Sequence, residues 1–182
     1  MRPNYFVFCE GETEVAYTEM LRSHYRLPIL IIARKTLQNV TTALVDRSKA
    51  VYVQTASDRT YLMYDLDVAE MLERLQKVTG AELLCSNPCF ELWLLLHYQD
   101  IKTPLTSADC IKKLKAVAKQ YKKGALADEM AKQLNSNVRK AIKRAKGMQK
   151  YGNPSTTVYL LVEELERLKE DEKEKKVSTV LK

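Results

Sequence analysis

Four short apolar runs, each followed by a stretch of helical periodicity, constrain this chain most. Tyr5 to Cys9 (YFVFC), Leu30 to Ala33 (LIIA), Tyr61 to Tyr64 (YLMY) and Ala81 to Cys85 (AELLC) are four or five residues long and mainly aromatic or aliphatic. Runs of that length and composition read as buried strands. After the first, Thr13 is placed to cap a helix that Val15, Tyr17, Met20, Leu21, His24 and Tyr25 carry to about Arg26, before Pro28 breaks it. Val40, Ala43, Leu44, Ser48 and Val51 fit a helix within 39–54, although VYVQ at its end is strand-like. Met71, Leu72, Leu75 and Val78 share one face of a segment from Val68 to Val78, which Gly80 stops. Ser86 and Asn87 make a turn, Pro88 suits a first helical turn, and FELWLLLHY (Phe90 to Tyr98) reads as a mostly buried helix. Strand and helix in alternation predict a parallel sheet covered on both faces, with right-handed crossovers.

Past residue 100 the strand signals fade. Ala108 to Tyr121 and Asp128 to Lys146 read as basic helices. Gly152, Asn153 and Pro154 make a turn, and Ser155 is expected to cap a last helix from about Thr156 to Glu170. The tail EDEKEKKVSTVLK is charged enough to fray. The organisation expected is an α/β core over 1–100 and a basic helical extension over 101–182 packed on it as one compact unit.

Charge divides the chain in the same place. Residues 1–100 hold 10 Lys and Arg against 13 Asp and Glu, whereas 102–150 hold 14 against 3. An acidic front suits divalent metal, and a basic segment suits phosphates. No apolar run approaches the roughly 20 residues of a membrane span, and MRPNYFVFCE lacks the apolar stretch of a signal peptide. A cytoplasmic protein without a membrane partner is expected. Cys9, Cys85, Cys89 and Cys110 form no CxxC pair, and His24 and His97 are the only histidines. That spacing argues against zinc and for reduced, mostly buried thiols.

In an open parallel sheet, functional groups gather beyond the C-terminal ends of the strands. The first strand ends in Glu10, with Glu12 and Glu14 just after it. The third ends in Asp65 and Asp67, with Glu70 one helical turn on. The fourth ends in Ser86 and Asn87. Alone, EGETE is an acidic first turn of the kind the helix dipole favours, and DLD is no more specific. Together at strand ends they predict a carboxylate cluster, which needs a cation or raised pKa values. Mg²⁺ (or Mn²⁺) suits oxygen ligands beside phosphate substrates. There is no Gly-rich phosphate loop. Glu91 fits equally a group facing such a metal and an ordinary acid at a helix start. Trp93 and His97 read as core.

The blocks VFCEGETE, YDLD, SNPCFELWLLLHY and NPSTTVYLLVEEL together resemble the RloB-like family, from about residue 5 to residue 165. That family is grouped with the Toprim domains of topoisomerases, primases and overcoming-lysogenization-defect nucleases. The resemblance implies an α/β, Toprim-like core of about four mainly parallel strands covered by helices, with a basic helical C-terminal part. It implies that Glu10 acts near the reaction centre, that Asp65 and Asp67 hold Mg²⁺, and that Glu14 matches the second glutamate of nuclease-like members. A nuclease working in phage defence follows from the resemblance alone.

On that reading Glu10, Asp65 and Asp67 are the catalytic set. Glu14 or Glu70 would serve a second metal, with Ser86, Asn87 and Glu91 close behind. Lys112, Lys113, Arg139, Lys140, Lys143 and Arg144 would meet nucleic acid, DNA or RNA. A lysine near the scissile phosphate is expected, without a position in the sequence that marks it. A chain of this length would need a second copy or a defence-system partner to grip a long substrate. Two rival readings stand beside it. One is a haloacid-dehalogenase-like phosphatase with Asp65 as nucleophile, Asp67 as acid/base and Ser86 binding phosphate. The other is a non-catalytic module that binds nucleic acid or a partner protein.

Overall fold

The computed structural model describes residues 1–36 and 39–180, with side chains described up to residue 177. Its sheet has the order β2-β1-β3-β4-β5, with β1 Asn4–Cys9, β2 Leu30–Lys35, β3 Arg59–Asp65, β4 Glu82–Asn87 and β5 Ser155–Thr156. The first four strands are parallel and β5 runs antiparallel to β4. This is the mainly parallel, helix-flanked sheet expected, consistent with a Toprim-like core, with one strand more than the sequence signalled.

The two-residue period of the strands sorts their side chains into two cores. Tyr5, Val7 and Cys9 of β1, Tyr61 and Met63 of β3 and Leu84 of β4 enter the larger one. It also takes residues from α1 (Glu12–Tyr25), α4 (Glu91–Leu95), α5 (Ser107–Val117), α6 (Asp128–Lys146) and α7 (Tyr159–Val180). Phe6, Phe8, Leu62, Tyr64 and Cys85 face the other way. They meet α2 (Thr42–Lys49) and α3 (Met71–Gln76) through Val45, Met71 and Leu75. β1 is buried along its whole length because it has a strand on each side and helices on both faces.

Connectivity places the site. From β1 the chain crosses by α1, on the larger core's side, to β2. From β2 it crosses β1 by α2, on the opposite face, to reach β3. The connections leaving β1 and β3 therefore diverge to opposite faces, and a crevice opens between their C-terminal ends. Such a switch point is where open α/β sheets bind ligands.

Several expected elements differ in extent. VYVQ forms no strand: Val51 in a turn beyond the end of α2 and Val53 in the loop after it stand 74% and 68% exposed. The segment from Val68 to Val78 keeps its apolar face buried, but only 71–76 is helical, and tight turns flank it. α4 ends at Leu95, and turns carry the chain on to Tyr98. Ser155 caps no helix. Ser155 and Thr156 pair with Asn87 and Ser86. Thr157 Oγ1 accepts from the Cys85 amide at 2.8 Å and donates to the Leu83 carbonyl at 2.9 Å. The NPSTT segment thus covers the open edge of β4, whose backbone groups would otherwise lack partners. α7 starts at Tyr159 and continues through the charged tail, expected to fray, to Val180; the last two residues of that tail lie outside the described range.

All four cysteines are free and buried, as expected. Among the described residues no helix is long and apolar enough to cross a membrane.

Candidate metal and phosphate site

Glu10 is the first residue beyond β1. Its amide continues the sheet by donating to the Met63 carbonyl at 3.1 Å. Its Oε2 accepts from the Asp65 amide at 3.0 Å, which ties the ends of β1 and β3 together. Asp65 closes β3, and its Oδ1 accepts from the Phe90 amide at 2.7 Å, just before α4. Strand alternation then sends Leu66 into the smaller core while Asp65 and Asp67 line the cleft.

Glu10, Glu14, Asp65, Asp67 and Glu91 line one cleft of about 680 Å³, and Glu12 stands at its edge. Glu14 comes from the first turn of α1 and is 5% exposed. Gly11 makes room for it: a Cβ at residue 11 would stand 3.0 Å from Glu14 Oε2. Glu91 opens α4, is 4% exposed, and accepts from the Tyr121 hydroxyl at 2.5 Å.

The electrostatics follow from that packing. Burial, reinforced by Glu91 and Glu10, pushes Glu14 up to about 7, while Lys123 opposes the rise. Burial and then Glu14, Glu10 and Glu91 drive Asp65 well above the usual carboxylate range, against the Phe90 amide. Carboxylates crowded in a half-dry cleft resist losing their protons, and a hard cation that takes oxygen ligands would relieve that cost.

Two cations border the cleft that sequence reasoning left without positions. Lys35 ends β2 and pairs with the exposed Glu12 at 2.9 Å. Lys123 lies in the loop between α5 and α6. That loop is fastened to α1 by the Gly124 amide, which donates to Thr13 Oγ1 at 2.9 Å. Gly124 has φ +83°, and a Cβ there would meet Glu12 Oε2 at 3.1 Å. The sequence signal was KKG at 122–124, a turn within a basic segment, but nothing local says which acids it meets.

Other expected site residues lie elsewhere. Glu70 is exposed at the N-cap of α3, outside the cleft lining. Ser86 is 1% exposed and shares a 2.8 Å hydrogen bond with Thr156 Oγ1, and Asn87 Nδ2 donates to the Tyr151 carbonyl at 3.2 Å. Both brace β5 and the turn before it. Lys140, Lys143 and Arg144 line a separate pocket with Lys102. Arg139 on α6 and Lys112 and Lys113 on α5 are exposed outside both cavities.

The donor set fits Mg²⁺ or Mn²⁺: hard oxygens, several of them held by backbone or hydroxyl donors, and no sulfur or imidazole in the lining. Among the described residues no group of three or more His, Cys, Asp or Glu side chains is arranged to hold a metal ion. Mg²⁺ needs only one or two carboxylates, since it keeps several waters. One or two of Glu10, Asp65 and Asp67, which line the cleft together, would hold a bound Mg²⁺, with the more deeply buried Glu14 and Glu91 behind them.

No curated protein and no solved structure matches the chain. A profile of the family described as RloB-like protein matches residues 5–165, which takes in Glu10, Glu14, Asp65, Asp67, Glu91 and Lys123. The chain belongs to the RloB-like family.

Proposed function

We propose that this protein is a Mg²⁺-dependent (or Mn²⁺-dependent) nuclease of the Toprim type, acting on nucleic-acid phosphodiesters in phage defence. The observation that carries the reading is the cleft at the β1/β3 switch point, where Glu10, Glu14, Asp65, Asp67 and Glu91 face one cavity bordered by Lys35 and Lys123. Bound there, the metal would polarise a phosphoryl oxygen and make a hydroxide nucleophile accessible at neutral pH. The chain's own residues orient the reaction. Glu10 holds the end of β3 in place, the Phe90 amide fixes Asp65, and Tyr121 fixes Glu91. Lys123 and Lys35 border the cleft and would offset charge on the phosphate, the role for which a lysine is expected.

The phosphatase reading loses its phosphate binder, because Ser86 is buried against Thr156 instead of facing the cleft. The defence role rests on family membership, and a second copy or a partner protein would extend the grip on substrate.

The test is cleavage of plasmid, single-stranded DNA, total tRNA and mRNA with Mg²⁺, Mn²⁺ or EDTA, by wild type and Asp65→Asn. Metal-dependent cutting that disappears in the variant is expected. Binding without cutting under every condition would instead support the non-catalytic module.

A further inference from the structure

A second cavity, of about 770 Å³, has the opposite character. Lys102, from the segment after α4, joins Lys140, Lys143 and Arg144 of α6 around it, and the turn containing Gly152 and Asn153 closes one wall. Asp100 is the one acid in the lining, and it stands 3.6 Å from Lys102.

The fold accounts for only some of these cations. On α6, residues 140, 143 and 144 are spaced i, i+3 and i+4, so like charges stack on one face, an arrangement that disfavours a helix. The helix dipole favours cations in the last turn, which holds Lys143, Arg144 and Lys146. It does not reach Lys140, nor Lys102 on another segment. Lys146 is paired with Glu163 at 2.9 Å, whereas no acid pairs with Lys140 or Lys143 among the described residues. Arg144 is anchored, with Nη1 donating to the Leu96 carbonyl at 2.5 Å. The wall is built as well: Asn153 Nδ2 and Oδ1 clamp the Leu105 carbonyl and amide at 2.8 and 3.1 Å.

One wall of the cavity leads to the sheet edge where the carboxylates lie. Its Gly152–Pro154 wall runs directly into Ser155, which pairs with Asn87 at the C-terminal end of β4, next to the strand that carries Asp65. At ~4.8 Å per strand, β3 and β5 lie roughly 10 Å apart.

We infer that this basic pocket grips the sugar-phosphate backbone of the same nucleic-acid strand whose phosphodiester enters the carboxylate cleft, and so sets which phosphate is presented for cutting. The inference rests on the nuclease reading. No aromatic ring lines the pocket for a base to stack on, and its cations suit phosphates.

The test measures binding in the Asp65→Asn protein, by anisotropy of a labelled single-stranded oligonucleotide across a salt series, with duplex and inorganic phosphate as competitors. Lys140→Glu with Lys143→Glu should weaken binding about tenfold or more and lower the salt slope by about 1 to 2, as loss of two phosphate contacts requires. Lys173→Glu with Lys176→Glu, the same charge change on the exposed far end of α7, should leave both values near the parent's. Melting of each variant checks the fold. Equal loss from both pairs would reduce the pocket to bulk charge and overturn the inference, as would unchanged binding after the α6 pair. Absence of oligonucleotide binding in the parent overturns it too. The nuclease reading is judged separately, by whether metal-dependent cutting vanishes with Asp65→Asn.

Discussion

His97 shows how one residue's surroundings set its chemistry. It is fully buried, its Nδ1 lies 2.8 Å from the Trp93 carbonyl, and its ring stands edge-on to the Trp93 indole. Burial lowers its pKa from 6.5 to about 4. The unfolded chain takes up a proton near pH 6.5 that the folded chain refuses until about pH 4. Its contribution is therefore fully present above pH 6.5 and is lost as pH falls through 4, by up to about 3 kcal/mol. Asp65 and Glu14 act in the opposite sense, since their raised values make the folded state gain on protonation. Urea midpoints at pH 7 and pH 5 for wild type and His97→Phe separate the two: the variant should lose less stability on acidification than wild type. Equal losses would show that His97 is not held neutral. From sequence this histidine was legible as core, because FELWLLLHY is apolar almost throughout. Lys123 was not legible, because its position depends on Gly124 meeting Thr13, 111 residues away along the chain.

At the scale of elements, periodic segments were legible and short ones were not. α6 runs from Asp128 to Lys146 as read, since acids open it, bases close it and Gly147 follows. β5 has two residues, too few for any periodicity, and its reason lies in β4's open edge. Thr157 is the residue that joins them, and its hydroxyl serves the Cys85 amide and the Leu83 carbonyl together. Thr157→Val keeps the volume and removes the hydroxyl, leaving a buried amide without its partner. The expected cost is about 1–3 kcal/mol, measured by chemical denaturation. Thr157→Ser, which keeps the hydroxyl, should recover most of it. A valine variant as stable as wild type would mean that the edge finds another cover.

At the scale of the whole molecule, sequence reading found the carboxylates because each follows an apolar strand. It could not establish that β1 and β3 are neighbours; their order in the sheet is what brings Glu10 beside Asp65. That same convergence sets a condition on the folded chain. Without a cation, Asp65 and Glu14 are held by a fold that penalises their charge. Asp65→Asn removes one carboxylate but keeps an oxygen to accept from the Phe90 amide, so its melting temperature in EDTA should equal or exceed that of wild type. A cation bound only by the folded state adds RT ln(1 + [L]/Kd), about 1.4 kcal/mol at ten times Kd. For a chain of 182 residues, that is a rise of roughly 3–6 °C. Mg²⁺ should therefore raise the melting temperature of wild type and leave that of Asp65→Asn with Asp67→Asn unmoved. If the single variant melts far below wild type in EDTA, the acids serve the fold rather than a metal. If Mg²⁺ shifts wild type and double variant alike, the ion binds elsewhere, and the cleft loses the role assigned to it.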